Sequence, residues 1–240
     1  MKILITICAR GGSKGIPKKN LKPLNKIPLI NYSIKIAKQI SSEWGADIGI
    51  STDDEEILKT VNARGITTDY ERPDFLADDK AGKIDTIKHL LLFEENKHSK
   101  VFDYVLDLDV SSPLRNFSDI EKAFKIFIQD KEMLTLFSVN PSNRNPYFNM
   151  VEKNKITGYY KTIKIPDRAI KSRQEAIKTY DMNASFYWYR RSFFNQNYQS
   201  PITEKSGIYE MDHICFDLDH FFDFKFMEYL LQNNELDFVL

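Results

Sequence analysis

The strongest constraint on the fold is an alternation between short apolar, β-branched segments and longer segments whose apolar residues recur at helical spacing. The first apolar segment, residues 2–8, reads KILITIC and ends shortly before Gly11 and Gly12. After Pro28 the apolar residues follow helical spacing, which completes a unit of strand, loop and helix. Four such units predict an α/β fold in which helices sandwich a mostly parallel sheet with right-handed crossovers.

The same periodicity, together with capping residues, locates the other elements. Strands are predicted at residues 47–51, 102–108, 133–139, 184–189 and 214–218. Four further helices are predicted. One runs to about Arg64 with Thr52 or Asp53 as its cap, and another begins at a cap at Ser118. The other two cover residues 84–94 and 221–231. In the last helix we expect Phe222, Phe226 and Tyr229 or Leu230 on one face.

Residues 141–171 interrupt this alternation with short aromatic and β-branched pieces. Turn signals at Asn154 and Gly158 separate these pieces, which predicts an antiparallel hairpin rather than a further strand and helix unit. The total length of 240 residues suits one large domain. We therefore predict a core domain formed by residues 1–140 and 172–240, with 141–171 inserted into it.

Composition and charge argue against several classes of protein. The 34 Lys and Arg residues balance 34 Asp and Glu residues, which removes the usual electrostatic case for binding nucleic acid. No segment approaches the roughly 18 unbroken apolar residues of a membrane span, and the apolar start is shorter than that of a secretory signal. Cys8 and Cys215 lie in apolar runs, which favours buried thiols over a disulfide or a reactive thiol. We expect a cytoplasmic protein that contacts no membrane.

The neutral total conceals opposite charges at the two ends of the chain. Residues 1–42 contain nine cations and no acid, whereas residues 207–240 contain eight acids and one cation. Many of the cations fall in residues 9–20, here called the first loop, which follows the first strand. Three glycines let backbone N–H groups approach phosphate oxygens there, and Arg10, Lys14 and Lys19 can neutralise a departing pyrophosphate. The first loop matches neither of the common glycine-rich phosphate motifs, and a solvated basic loop is the alternative.

Two Asp-Leu-Asp segments carry the acidic residues of interest. Asp107 and Asp109, the first acidic pair, close one predicted strand, and Asp217 and Asp219, the second acidic pair, close another. Ligands of open α/β sheets gather at the carboxyl ends of strands, and carboxylates beside a phosphate site suit Mg²⁺. We expect only one member of the first pair to face a shared site. The alternative for either pair is the capping and solvation of a strand end.

The motifs together resemble those of the sugar-acid cytidylyltransferases, the CMP-N-acetylneuraminate synthetase family. The matching segments are ARGGSKGIPKKN at 9–20, STDD at 51–54, ERP at 71–73, SSPLR at 111–115, RQ at 173–174, MNASFY at 182–187 and FDLD at 216–219. They follow the family's order over nearly the whole chain. The sequences of residues 107–115 and 180–188 are similar to those of the branch that acts on bacterial nonulosonic acids such as legionaminic acid.

This resemblance implies a nucleotidyltransferase-like Rossmann-type fold and transfer of CMP from CTP to the anomeric hydroxyl of a 2-keto sugar acid. Pyrophosphate leaves, and Mg²⁺ is required. Of the site residues it implies, Arg10, Lys19 and Asp217 are the ones expected to be catalytic. By motif matching, the triphosphate is held by Arg10, Ser13, Lys14, Lys19 and Asn20, the cytidine by Arg72 and Ala81, the metal by Asp217 and Asp219, and the sugar acid by Arg173, Gln174 and Asn183. The insertion at 141–171 corresponds to the family's dimerisation segment, so a homodimer is expected.

Two residues depart from the family's pattern. Asp109 stands where many sialic-acid enzymes have glutamine, and it either changes the contacts to the sugar or supplies a further metal ligand, as in the related 3-deoxy-manno-octulosonate enzymes. Lys83 stands near the expected base pocket, where small polar residues are common. The preference for cytosine is therefore implied by analogy alone.

Two other functions remain open from the sequence. A glycosyltransferase could use Asp107 and Asp109 to bind a nucleotide sugar, which would account for the first acidic pair but not for a loop suited to a triphosphate. A regulatory module could bind the nucleotide without turning it over. Ser13, Ser111 and Ser112 have no neighbouring His and Asp signature, so covalent catalysis is not indicated.

Overall fold

The computed structural model of this protein describes residues 1–13, 15–78, 81–166, 168, 170 and 172–240, with Arg173 described by its backbone alone. The strands are β1 Ile3–Cys8, β2 Pro23–Leu24, β3 Ile27–Pro28, β4 Asp47–Ser51, β5 Tyr104–Leu108, β6 Thr135–Pro141, β7 Val151–Lys153, β8 Tyr160–Thr162, β9 Tyr180–Arg190 and β10 Ser206–Glu210. The α-helices are α1 Ile30–Trp44, α2 Glu55–Asn62, α3 Lys83–His98, α4 Phe117–Gln129 and α5 Phe221–Gln232.

Six strands form the central sheet in the order β10-β6-β9-β5-β1-β4. β1 is parallel to both of its neighbours, β4 and β5, and β6 is parallel to β10. β9 lies between β5 and β6 and is antiparallel to both. The mostly parallel sheet predicted from the sequence is thus confirmed, with β9 as its antiparallel member.

The central position of β1 follows from its composition. Its side chains are apolar on both faces, apart from Thr6, and Ile3, Leu4 and Ile5 are almost fully buried. The odd-numbered residues of β1 pack with α1, α2, α4 and α5 on one face of the sheet, whereas Leu4 packs with α3 on the other. Helices therefore cover both faces, as the alternating pattern predicts.

The sequence prediction misplaced two helix starts. The cap of α2 is Asp54 rather than Thr52 or Asp53, because the Asp54 carboxylate accepts hydrogen bonds from two backbone N–H groups of the first turn. The cap of α4 is Asn116 rather than Ser118, since Asn116 and Asp119 form a reciprocal capping box.

Two further predictions near the C-terminal end are wrong. Residues 214–218 do not form a strand. The edge strand is β10, which the sequence analysis did not assign. In α5 the buried residues are Phe224, Met227 and Leu230, whereas Phe222, Phe226 and Tyr229 are exposed. This helix is apolar nearly all round, so spacing alone does not show which face is buried.

The segment between β6 and β9 leaves and re-enters the sheet at one place, since Pro141 pairs with Tyr180. Within it, β7 and β8 form an antiparallel hairpin, as predicted. Several of its large side chains are exposed, including Ile156, Tyr159 and Tyr160. Among the described residues, no helix is long and apolar enough to cross a membrane.

Candidate active site

Two adjoining pockets open where the parallel strands β1 and β5 end. The inner pocket, about 240 Å³, is lined by Arg10, Arg72, Ala81, Lys83 and Asp109, among others. The loop pocket, about 290 Å³, is lined by residues that include Arg10, Ser13, Lys19, Asn20, Asp109 and Asp219. Arg10 and Asp109 belong to both pockets, so the two form one continuous site at the edge of the sheet where α/β proteins bind ligands.

The first loop lies directly against the C-terminal acidic segment. Lys19 Nζ donates a 2.8 Å hydrogen bond to the carbonyl oxygen of Leu218 and lies 3.7 Å from Asp219 Oδ1. Gly15 approaches so closely that a Cβ there would lie 2.3 Å from the carbonyl oxygen of Asp219. Any larger residue would force the two segments apart, so glycine is needed at this position. Stretches about 200 residues apart in sequence therefore meet at one site.

Two side chains, Asn20 and Asp53, hold the start of the first loop by hydrogen bonds to its backbone. Asn20 is buried, and its side-chain amide donates to the carbonyl oxygen of Arg10 at 2.8 Å. The backbone N–H of Gly11 donates to Asp53 Oδ1 at 3.0 Å, and a Cβ on Gly11 would lie 2.6 Å from Asp54 Oδ2. The acidic residues after β4 thus hold the start of the loop.

The inner pocket is cationic, and its guanidinium groups are anchored. Arg72 is buried, and it donates from Nε to the hydroxyl of Ser51 and from Nη2 to the carbonyl of Ser51, both at 2.8 Å. Arg10 Nη1 donates to the carbonyl oxygen of Asp78 at 3.2 Å, and the N–H of Ala81 donates to the Asp78 carboxylate. These contacts preorganise the pocket wall for an anionic or strongly polar ligand.

Both members of the first acidic pair face the same side, which corrects the expectation that only one does. Lys83 Nζ lies 2.8 Å from Asp107 Oδ2 and 2.5 Å from Asp109 Oδ2. Residues two apart in a strand share a face, so one ammonium reaches both carboxylates. Burial disfavours the charged form of Asp109, but Lys83 and the Ser111 hydrogen bonds outweigh it and hold the Asp109 pKa well below its usual range.

The second acidic pair is more open. Asp217 is half-buried and Asp219 is exposed. Burial, then the negative charge of Asp219 and next that of Asp109, raise the pKa of Asp217. A site crowded with carboxylates in this way gains stability from a cation. Among the residues the structure describes, no group of three or more His, Cys, Asp or Glu side chains is arranged to hold a metal.

Arg115 organises the site, and the sequence analysis did not identify it. The side chain is fully buried, and Nη1 donates to the carbonyl oxygens of Asp109, Ser112 and Ser185, while Nη2 donates to the hydroxyl of Ser33. Burial lowers its pKa to about 10, so it stays charged near neutrality. The SSPLR motif contained this arginine, but nothing in the motif reveals that it joins β5, β9 and α1.

The residues expected at the sugar acid lie apart from the two pockets. Gln174 lines a different cavity of about 420 Å³, together with Asn145 and Tyr180 among others. Asn183 is buried, its amide joined to Ser138 and Asn140. The following residue, Ala184, has φ of 57°, in the left-handed region, where β9 shifts register against β6. Such strained positions are frequent at functional sites.

For two of the expected site residues, the side chain is not among those that the structure describes. Lys14 and the side chain of Arg173 fall outside the described residues. Most of the other expected residues line the two pockets: Arg10, Ser13, Lys19, Asn20, Arg72, Ala81, Asp109 and Asp219. Asp217 is two residues before Asp219 in the chain.

Neither cysteine is suited to act as a nucleophile. Both are free thiols. Burial, followed by the charge of Asp107, raises the pKa of Cys8 to about 12, and burial raises the pKa of Cys215 to about 11. Both remain protonated near neutral pH, in line with the interpretation as inert apolar-like side chains.

The α/β fold thus brings cationic and acidic side chains together in one pocket, an arrangement suited to a phosphate-containing ligand. Residues 4–239 match the cytidylyltransferase family, and the chain belongs to that family. Among its relatives, post-translational flagellin modification protein B of Campylobacter coli is 41% identical over 236 residues, covering 98% of this chain and 97% of that protein. CMP-N,N'-diacetyllegionaminic acid synthase of Campylobacter jejuni is 38% identical over 238 residues, covering 98% and 97%.

A solved structure shares the fold. CMP:2-keto-3-deoxy-manno-octonic acid synthetase, complexed with CTP, superposes with a TM-score of 0.69 at 18% identity, covering 98% of this chain and 100% of that one. At this identity the likeness supports the fold alone. The resemblance noted in the sequence is therefore confirmed at the level of the family and of the fold.

Proposed function

We propose that this protein transfers CMP from CTP to the anomeric hydroxyl of a 2-keto nonulosonic acid, most closely of the legionaminic type, and releases pyrophosphate. The observation that carries the proposal is the contact of Lys19 with Leu218 and Asp219. It joins a cationic, glycine-rich loop to the second acidic pair, of which Asp219 lines the loop pocket. The 38% identical legionaminic relative supports the sugar acid, because it matches over nearly the full length of both chains.

The chain's own groups supply positioning and charge neutralisation. In-line attack on an α-phosphate needs these more than a covalent intermediate. Arg10 and Lys19 border the loop pocket with Ser13 and the backbone of the first loop, where they neutralise charge that accumulates on the departing pyrophosphate. The inner pocket, with Arg72 and Ala81 in its wall, takes the cytidine. Lys14 is assigned to the triphosphate as well, on its motif alone.

The second acidic pair fits Mg²⁺ in kind. Asp217 and Asp219 offer hard oxygen donors beside Lys19, and Mg²⁺ prefers one or two carboxylates completed by phosphate oxygens and water. The negative charge that raises the pKa of Asp217 is the charge that such an ion offsets. When bound, Mg²⁺ stabilises the developing charge on the triphosphate and orients its oxygens.

We assign the sugar acid to Arg173, Gln174 and Asn183 on their motifs alone; of these, Gln174 lines a separate cavity and Asn183 is buried. A guanidinium is a suitable partner for the carboxylate of the acid, and Asn183 precedes Ala184, whose φ is in the left-handed region. We also propose a homodimer built on the insertion at 141–171. Its exposed side chains, such as Tyr159 and Ile165, support this because large apolar groups are favoured at interfaces. The reaction belongs in the cytoplasm, where CTP is available.

The test is pyrophosphate release from CTP and Mg²⁺ with N,N'-diacetyllegionaminic, pseudaminic, N-acetylneuraminic and 3-deoxy-manno-octulosonic acids, one at a time. We expect the highest kcat/KM with the legionaminic acid. No release with any of the four acids contradicts the proposal, and tight CTP binding without turnover favours a regulatory module instead. Release of a nucleoside diphosphate from a nucleotide sugar, with CTP left intact, indicates a glycosyltransferase.

A further inference from the structure

Lys83 occupies a position that its helix does not favour. It is the first residue of α3, and Gly82 before it offers no side-chain cap. The N-terminal end of a helix carries partial positive charge, so a cation there is disfavoured. Asp85 in the first turn of α3 and the carboxylates of Asp107 and Asp109 outside the helix offset this effect, and the last two contact the ammonium directly.

The Lys83 ammonium lies where a bridging cation would lie. Its Nζ is 2.8 Å from Asp107 Oδ2 and 2.5 Å from Asp109 Oδ2, one oxygen from each carboxylate. The other oxygen of Asp107 accepts from the hydroxyl of Thr6 at 2.9 Å. The other oxygen of Asp109 accepts from the N–H and the hydroxyl of Ser111 at 2.8 and 2.7 Å. Each carboxylate thus turns one oxygen to the protein and one to the cation.

The surroundings hold the ammonium in that place. Its Nζ lies 4.8 Å from the centre of the Tyr187 ring, within the range of a cation–π contact. The Asp107 side chain is 1% exposed, so its negative charge has no water to stabilise it and depends on Lys83. Without the ammonium, two adjacent carboxylates would face the inner pocket, which is the oxygen-rich setting that Mg²⁺ selects.

We propose that the Lys83 ammonium takes the place of a divalent cation between Asp107 and Asp109, so that this protein uses a single divalent cation, held at the second acidic pair. The inference rests on the proposed function, because it assumes a site shared by a metal and a nucleotide. It goes beyond that function by fixing the number of metal ions and by removing the first acidic pair from metal binding.

The test counts the bound Mn²⁺ ions from the decrease in the electron paramagnetic resonance signal of free Mn²⁺, at saturating CTP without sugar acid. The wild-type chain is expected to hold one Mn²⁺ per protomer. Lys83→Met, which has a side chain of similar length without charge, is expected to hold two. Lys83→Arg keeps the charge and is expected to hold one. The double variant Lys83→Met/Asp109→Asn removes half of the vacated carboxylate pair and is expected to return to one.

Two Mn²⁺ ions per wild-type protomer overturn the proposal, and so does an equal count in wild type and folded Lys83→Met. If Lys83→Met does not fold, as judged by circular dichroism, the wild-type count still decides. The measurement needs no turnover, so a correct count with no pyrophosphate release faults the proposed function and leaves the metal count standing. CTP turnover with a count of two faults the inference alone.

Discussion

The two Asp-Leu-Asp segments of this chain have the same local sequence and opposite environments. Asp107 and Asp109 both pair with the ammonium of Lys83 at the end of a central strand. Asp217 and Asp219 lie in a loop, where the ammonium of Lys19 is 3.7 Å from Asp219. The pKa of Asp109 is held low by its partners, whereas burial and neighbouring carboxylates raise that of Asp217. Identical triplets thus have different environments, because Lys83 contacts both carboxylates of the first pair, whereas Lys19 contacts Asp219 of the second.

The largest expected effect concerns Asp217. Asp217→Asn keeps the shape of the side chain and removes the charge assigned to the metal, so kcat should fall by about 10³-fold. The measurement is steady-state pyrophosphate release at saturating CTP and Mg²⁺. Asp212→Asn is the matched control, since Asp212 pairs with Lys122 at the surface. A near-normal rate for Asp217→Asn would reverse the roles given to the two pairs.

The next effect in size tests the cation of the second pair. Lys19→Ala removes the ammonium that contacts Leu218 and the second acidic pair, so kcat/KM for CTP should fall by about 10²-fold. Lys18→Ala is the control, because Lys18 is exposed and pairs with Glu56 at 2.7 Å. Equal kinetics for the two variants would remove Lys19 from the site.

The smallest effect tests the structural role of the first pair. Thr6→Val removes the hydroxyl that donates to buried Asp107 and should lower the free energy of unfolding by about 2 kcal/mol. The number of bound Mn²⁺ ions should not change. Urea denaturation measures the first quantity, with Thr67→Val at an exposed position as the control. A gain or loss of bound Mn²⁺ in Thr6→Val would mean that the first acidic pair takes part in metal binding.

Much of the fold follows from local pattern. β1 was predicted because a buried parallel strand is continuously apolar, and β4, β5 and β6 because short apolar and β-branched segments alternate with helical ones, signals that need no tertiary information. β10 was missed because Tyr209 is its one buried residue, so the strand lacks a continuous apolar run. Residues 214–218 resemble a strand, yet their backbone contact is a single bond from the Leu218 N–H to the Ser111 carbonyl.

The candidate site was predictable in its parts but not in its pairing. The glycines and cations of the first loop indicate a phosphate site on composition alone, and the structure groups most of them at one pocket. That Lys83 is the partner of Asp107 and Asp109 depends on how α3 packs against β1 and β4, which no spacing in the sequence records. The same holds for Arg115, whose partners lie on three different elements.

A crystal structure with CTP and Mn²⁺, read by the anomalous scattering of manganese, tests the roles of the two acidic pairs directly. We expect one anomalous peak between the triphosphate and Asp217, with the triphosphate against the first loop beside Lys19. A peak between Asp107 and Asp109, or a triphosphate bound away from the first loop, would contradict these roles.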